Sequence, residues 1–255
     1  ALYCVTIDDL YRETSVAYDN YAQRLGSVFE ATKDPENFIL AEREYKKLLR
    51  SGEYTAEDLR LYGILHQYMM QLSMEKGLAL FERGLNLGRE QDPETYWCIW
   101  RQKISMLSQI GRGAEAISAF LPKVQAGSDD LEEWICLIQA YSFAEDYDAA
   151  WQWVKKAETK FPESATLHIY TGNLLRAWKR YDEAFPHWRR ALEMEPEWCD
   201  SAYAMASCYE EMGDYENAYV VYNQIADNLE KRGFDAEVNW PRTMAHKCQE
   251  KIHTY

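Results

Sequence analysis

Residues 134–230 read WICLIQAYSFAEDYDAAWQWVKKAETKFPESATLHIYTGNLLRAWKRYDEAFPHWRRALEMEPEWCDSAYAMASCYEEMGDYENAYVVYNQIADNLE, and this stretch decides the fold. One pattern recurs in it three times at intervals of 34 residues. Tyr147, Ala150, Ala157 and Pro162 return as Tyr181, Ala184, Ala191 and Pro196, and the first two return again as Tyr215 and Ala218. Tyr141 is matched two periods on by Tyr209. Gly172 and Ala206 put a small residue at the eighth position of the second and third copies. Within each copy apolar residues fall at helical spacing twice. A short polar turn separates the two runs: Ala144-Glu145-Asp146, Trp178-Lys179-Arg180 and Met212-Gly213-Asp214. The unit is a helix–turn–helix repeated in series.

Packing explains the residue types. Two antiparallel helices approach closely only where side chains are small, so Gly172 and Ala206 are expected to face Ala184 and Ala218. Trp134, Tyr141, Trp188 and Tyr222 are expected to fill the spaces between one unit and the next. Pro162 and Pro196 stop the second helices, because proline cannot extend the hydrogen-bond ladder. A 34-residue period with small residues near positions 8, 20 and 27, aromatics near 11, 17 and 24 and proline near 32 resembles the tetratricopeptide repeat (TPR) family. The resemblance implies an all-α fold, a right-handed superhelix of antiparallel helix pairs with a C-terminal capping helix. It also implies a concave groove that binds protein or peptide.

Extending the register outward places the rest of the chain in one solenoid. Trp100 lies one period before Trp134, and Gly111, Ala116 and Phe120 fall at repeat positions, so 93–130 is a repeat, followed by 131–164, 165–198 and 199–233. Pro122 is expected to shorten its helix, and Gln125 to Asp129 to form a loop that bends the array between two halves. Pro186 is tolerable only in a first turn, so its helix is expected to start near Tyr181 or Asp182. Residues 55–92 read as a divergent helix pair, opened by Thr55 with Glu57 and Asp58 in the first turn. Residues 1–54 read as a further divergent pair. Its first helix runs from about Asp8 to Ala31; its second is capped by Asp34 with Pro35 at the first helical position. Residues 236–254, with Pro241 near the start and Lys247, Lys251 and His253 near the end, form the capping helix that a terminal repeat needs to cover its apolar face.

Composition narrows the function. With 42 acidic against 28 basic residues the net charge is −14, which repels a phosphate backbone and an anionic membrane, so nucleic-acid partners are not expected. No run approaches the length of a membrane span, so direct membrane insertion is not expected. The six cysteines form no C-x-x-C pair and read as reduced thiols of a cytoplasmic protein. The histidines form no metal motif: His246 and Cys248 point to different sides of a helix. No catalytic or nucleotide-binding signature occurs, so no enzyme and no cofactor are expected. The opening Ala1-Leu2-Tyr3-Cys4 has neither an initiator methionine nor the form of a signal peptide. The alternative reading is therefore a peptide-sensing regulatory domain of a larger protein, with its effector or catalytic domain outside this fragment.

The useful surface is then the concave wall formed by the first helix of each pair. Positions 2, 5, 9 and 12 lie about 100° round from the inward-packing stripe and face the groove. They select Tyr62, His66, Arg101, Ser105, Gln139, Asn173, Arg176, Tyr203 and Ser207 as the candidate peptide-binding residues. Amides, hydroxyls and guanidinium groups suit an extended peptide, whose backbone needs donors and acceptors. TPR domains that clamp the C-terminal carboxylate of chaperone peptides carry lysine, asparagine and arginine at set positions of three repeats. Here Arg101-Ser105, Cys136 and Thr166-Tyr170 occupy them, or in the next register Ile135-Gln139, Tyr170 and Asp200-Ala204, so a chaperone carboxylate clamp is not expected. Trp151 and Trp153 flank Gln152 on one helix, and one of them is expected to be partly exposed.

Overall fold

A computed structural model describes residues 20–197 and 199–252. The described residues form twelve helices and no strands. They are α1 (Tyr21–Thr32), α2 (Pro35–Ser51), α3 (Ala56–Leu85), α4 (Pro93–Gln109), α5 (Gly113–Gln125) and α6 (Leu131–Phe143). There follow α7 (Tyr147–Lys160), α8 (Ala165–Ala177), α9 (Tyr181–Met194), α10 (Asp200–Glu211), α11 (Tyr215–Lys231) and α12 (Asp235–Ile252). The chain divides into two compact units at Asn86 and Leu87, not in the loop after Gln125, where α5 and α6 pack on one another.

The larger unit, α4 to α12, is an all-α TPR-like solenoid. Each first helix packs on its own second helix and on the first helix of the next repeat, so α4, α6, α8 and α10 form one continuous wall. The hairpins share one device. Gly111, Glu145, Lys179 and Gly213, spaced one period apart, all adopt left-handed φ of 75°, 60°, 60° and 76°. The next amide then reaches back to a carbonyl in the preceding helix, as in Arg180 N to Leu175 O at 2.8 Å and Asp214 N to Tyr209 O at 2.8 Å. This is the helix-ending bond that a left-handed residue permits.

Inside each pair, positions 8 and 24 exchange volume. They hold Ile104 and Phe120, Ile138 and Val154, Gly172 and Trp188, and Ala206 and Tyr222, every one buried. The smallest residue is paired with the largest. A Cβ on Gly172 would lie 2.5 Å from Trp188 Nε1 and 2.7 Å from Cδ1. Gly172 therefore faces the Trp188 indole, not Ala184 as spacing alone suggested, and Trp188 also shares a buried cluster with Met205 and Cys208 of the next repeat, as expected of a residue between units. Trp151 and Trp153 are both half-buried. Trp151 packs on the cluster around Leu175 and Trp188, and Trp153 lies edge-on to Trp134 at 6.0 Å.

Three prolines sit beyond the first turn. Pro122 does not end α5, which runs on to Gln125; Pro186 is the sixth residue of α9; and Pro241 lies within α12. The expected start of α9 at Tyr181 holds, but the restriction of proline to the first turn does not. Each proline deprives the carbonyl four residues earlier of its amide. Those carbonyls belong to Ser118, Asp182 and Glu237, all exposed, so water can take the bond. In α12 the buried residues Pro241, Ala245 and Cys248 form one stripe; Ala245 and Cys248 pack on Tyr222, Ile225 and Leu229. The opposite face, including His246, is exposed, which is the pattern of a capping helix.

The smaller unit contains α1 to α3. Asn20 caps α1 in an extended conformation, so the helix begins at Tyr21 and is not continuous from Asp8; residues 8–19, Cys4 and His253 lie outside the described residues. The expected helix pair at 55–92 is instead the single 30-residue helix α3. Its middle, His66 to Lys76, contains no glycine or proline and many strong helix formers, so no turn interrupts it. Asp58 anchors its start. This buried carboxylate accepts from Thr55 N at 2.8 Å and Gln23 Nε2 at 2.9 Å, tying α3 to α1. Burial alone would raise its pKa, but the hydrogen bonds from Thr55, Gln23 and Asn20 outweigh it and hold the value at about 2.

Two substitutions test this packing. Gly172→Ala should cost about 1–3 kcal/mol in thermal unfolding. Adding Trp188→Tyr should recover part of that cost, because it recreates the Ala206–Tyr222 combination; strict additivity of the two would refute the exchange. Lys179→Gly and Glu145→Gly should each raise stability, by up to about 1 kcal/mol, by relieving a side chain at positive φ. A lowered Tm at both sites would contradict the left-handed turn.

Candidate functional site

The first helices of four successive repeats wall a groove of about 1600 Å³ in the larger unit. From α4 come Glu94, Cys98 and Arg101, spaced to share a face; from α6, Glu132; from α8, Thr166, Ile169, Tyr170, Asn173, Arg176 and Ala177. The α10 segment contributes Cys199, Asp200, Tyr203, Ala204, Ser207 and Glu211, while Arg232, Phe234 and Glu237 close the end near α12. Five of the nine candidates lie on this wall: Arg101, Asn173, Arg176, Tyr203 and Ser207.

The other four do not. Ser105 and Gln139 occupy position 9 of α4 and α6, where only the N-terminal half of each helix borders the groove. At α6 the next helices crowd in, and Ile135 and Cys136, at the positions that line the groove in α8 and α10, are fully buried. Tyr62 and His66 belong to the smaller unit. Tyr62 stacks on buried Tyr45 at 4.7 Å, and the exposed His66 lies edge-on to Phe38 at 5.3 Å. They are packing rings of that unit and not part of the groove.

Two arginines are held by carboxylates of the neighbouring repeat. Arg101 Nη1 lies 2.6 Å from Glu132 Oε2, and its Nη2 donates to Cys98 Sγ at 3.2 Å. Arg176 reaches Glu211 through Nη2 at 2.6 Å and Nε at 3.1 Å. Burial opposes the Arg101 charge, but nearby Tyr170 and Glu132 raise its pKa. Burial raises the Glu132 carboxyl pKa more than Arg101 lowers it. The two shifts pull in opposite senses for one bridge, and the 2.6 Å contact shows that the pair is formed. Tyr170 stays a protonated donor, its pKa pushed up to about 12 by burial against the opposing charge of Arg101. Asn173 Oδ1 accepts from Trp188 Nε1 at 3.2 Å, which orients the amide with its N–H groups available to the groove.

Six carboxylates line the groove (Glu94, Glu132, Glu197, Asp200, Glu211 and Glu237) against four cations, Arg101, Arg176, Lys179 and Arg232. Two of the four cations are neutralised by the bridges above. Arg232 donates to the Glu197 backbone carbonyl at 2.6 Å and lies over Phe234. Position-based reading missed Tyr170, Glu211 and Glu237. Tyr170 and Glu211 sit at positions 6 and 13, one turn along the same face as 2 and 9, and Glu211 lies one period and one residue after Arg176. Glu237 comes from the capping helix, which has no repeat register to read.

A histidine pair also escaped the sequence reading. His168 Nδ1 and His187 Nδ1, on α8 and α9, lie 3.0 Å apart, so one ring donates and the other accepts. Among the described residues no group of three or more histidine, cysteine, aspartate or glutamate side chains is placed to hold a metal. No described helix is long and apolar enough to cross a membrane.

Comparison with known proteins gives one family match, over a single repeat, and distant structural likenesses. Residues 200–227 match the model of a tetratricopeptide repeat. No curated protein matches the chain. A thermophilic TPR protein of Thermus thermophilus is 21% identical, with 80% of this chain and 98% of that one covered and a TM-score of 0.49. A tetratricopeptide repeat protein of Parabacteroides merdae is 16% identical, with 91% and 92% covered and a TM-score of 0.45. The TPR2AB domain–pHSP90 complex of yeast Sti1 is 13% identical, with 89% and 97% covered and a TM-score of 0.41. Likenesses at this level concern the fold and say nothing of a partner. The chain thus resembles the TPR family in repeat pattern and helical architecture.

The histidine pair gives stability a pH dependence. Burial lowers both pKa values, and the neighbouring imidazole lowers that of His168 further; Glu183, Glu158 and Glu163 oppose the shifts, and Arg190 adds to that on His168. With both pKa values lowered, the unfolded chain takes up protons first. The pair's contribution is therefore complete above about pH 6.5 and is lost as pH falls through the lowered values. Between about pH 7 and pH 5 the wild-type Tm should fall more steeply than that of His168→Gln/His187→Gln. Parallel curves would rule the pair out as the cause.

Proposed function

We propose that this chain is a non-catalytic scaffold that holds a protein or an extended peptide in the groove of the larger unit, for assembly or regulation of a complex. The observation that supports the reading is the wall itself. Four first helices present side chains at a fixed repeat spacing along about 1600 Å³ of open groove. An extended peptide offers a backbone donor and acceptor every residue, and it needs a surface with both at intervals. The Asn173 amide, the Ser207 hydroxyl and the Tyr170 and Tyr203 phenols supply them. Hydrogen bonds from such groups fix register, while Ile169, Ala204 and the tyrosine rings cover apolar side chains.

The arginine bridges argue against capture of a peptide carboxylate terminus. Arg101 and Arg176 already hold Glu132 and Glu211, and an incoming carboxylate would have to displace them. The cysteine spacing supports a reducing compartment, and we place the protein in the cytoplasm.

Asn173→Ala/Arg176→Ala is the direct test. Removal of Arg176 breaks a partly exposed bridge, which costs under about 1 kcal/mol, and removal of Asn173 leaves the Trp188 N–H without its acceptor at a cost of about 1–3 kcal/mol, so circular dichroism is measured alongside and the helices should remain. Pull-down from a lysate of the source cells should lose the partners that the wild-type chain retains. An unchanged set of partners with an intact fold would sink the groove reading.

A further inference from the structure

The groove is not uniform along its length. At its α10–α12 end, Asp200 and Glu237 face the space also lined by Cys199, Tyr203 and Arg232. Neither carboxylate forms an ion pair with any described residue, in contrast to Glu132 and Glu211 further along. Tyr203 lies against Trp240 with ring centroids 5.3 Å apart, and Trp240 is 53% exposed although it is the largest side chain on α12. Glu237 and Trp240 are three residues apart on that helix, so they share a side of it. Arg232, the nearby cation, is turned to the Glu197 carbonyl and to Phe234.

We infer that this corner seats a cationic side chain, and that the groove takes an extended peptide bearing lysine or arginine. The inference rests on the groove reading of the preceding section. A positive head group between Asp200 and Glu237 meets two carboxylates with which no described cation forms an ion pair. Its aliphatic stem, or the guanidinium plane of arginine, lies on the Tyr203–Trp240 ring pair, an arrangement that attracts cations electrostatically as well as by contact. The charge balance of the whole groove points the same way: two of its four cations pair with two of its six carboxylates, which leaves four carboxylates against two cations. An acidic peptide would meet Glu94, Glu197, Asp200 and Glu237, with only Lys179 and Arg232 in return. A net charge of −14 adds long-range attraction for a basic partner, and this part weakens with salt.

Electrostatic surroundings agree with the geometry. Burial raises the Tyr203 pKa, and Cys199, Glu237 and Asp200 raise it further. Burial likewise raises that of Cys199, with Arg232 opposing and Asp200 and Glu237 adding. The site therefore presents protonated Tyr203 and Cys199 beside the two carboxylates.

Three labelled peptides test the inference on the whole chain by fluorescence anisotropy: lysine alternating with serine, glutamate with serine, and alanine with serine. The lysine peptide should bind at least about tenfold more tightly than the others. Asp200→Asn/Glu237→Gln should weaken it by about tenfold, while Glu163→Gln/Glu216→Gln, which removes the same charge outside the groove, should leave it within about twofold. Trp240→Leu, at an exposed position, should also weaken the lysine peptide and carries the test if the first variant loses helical signal. Equal weakening by both charge-removing pairs would reduce the effect to net charge and overturn the site. Preference for the alanine or glutamate peptide, lost in Asn173→Ala/Arg176→Ala, would overturn the cationic corner and leave the groove standing. Failure of all three peptides, with partner capture unaffected by Asn173→Ala/Arg176→Ala, would overturn the groove itself.

Discussion

The larger unit depends on one backbone constraint. At Gly111, Glu145, Lys179 and Gly213 the chain turns through a left-handed residue. That single conformation ends the first helix, returns an amide to its last carbonyls and sends the second helix back antiparallel. Glycine meets the requirement without cost. Glutamate and lysine meet it at the expense of backbone strain, which the packing of the following helix outweighs. Because the turn recurs at one spacing, every pair has the same hairpin geometry. The first helices can then lie side by side.

Once the hairpins are alike, the interior must be filled by complementary volumes. Gly172 with Trp188 and Ala206 with Tyr222 are two solutions to the same distance between helices. Changing one partner alone either leaves a void or forces an overlap. The indole of Trp188 also links the scaffold to the groove, since its N–H fixes the Asn173 amide on the outer face. Packing inside a repeat thus positions a polar group used outside it. The interior prolines are accommodated in the same spirit: each freed carbonyl lies on an exposed residue, where water replaces the missing amide.

The groove follows from the stack. Successive first helices bring Arg176 to Glu211 and Arg101 to Glu132 across repeat boundaries. These bridges brace the wall and at the same time remove positive charge from it. What remains is a surface whose unsatisfied groups are mainly carboxylates and phenols. The charge of the wall is therefore set by which residues the repeats pair with one another, as much as by which residues they carry.

Much of this was legible in the sequence. The 34-residue recurrence of Tyr147, Tyr181 and Tyr215 with Ala150, Ala184 and Ala218 determined the helical repeat and the hairpin turns, because each is a local consequence of side-chain spacing along a helix. The same spacing placed Asn173, Arg176, Tyr203 and Ser207 on the groove wall. Tertiary structure alone decided the rest. Ser105 and Gln139 miss the wall because the crowding of α6 by its neighbours depends on contacts between repeats. Trp240 meets Tyr203 from the capping helix, which has no repeat register, and His168 meets His187 across the two helices of one repeat at positions that the pattern leaves unspecified.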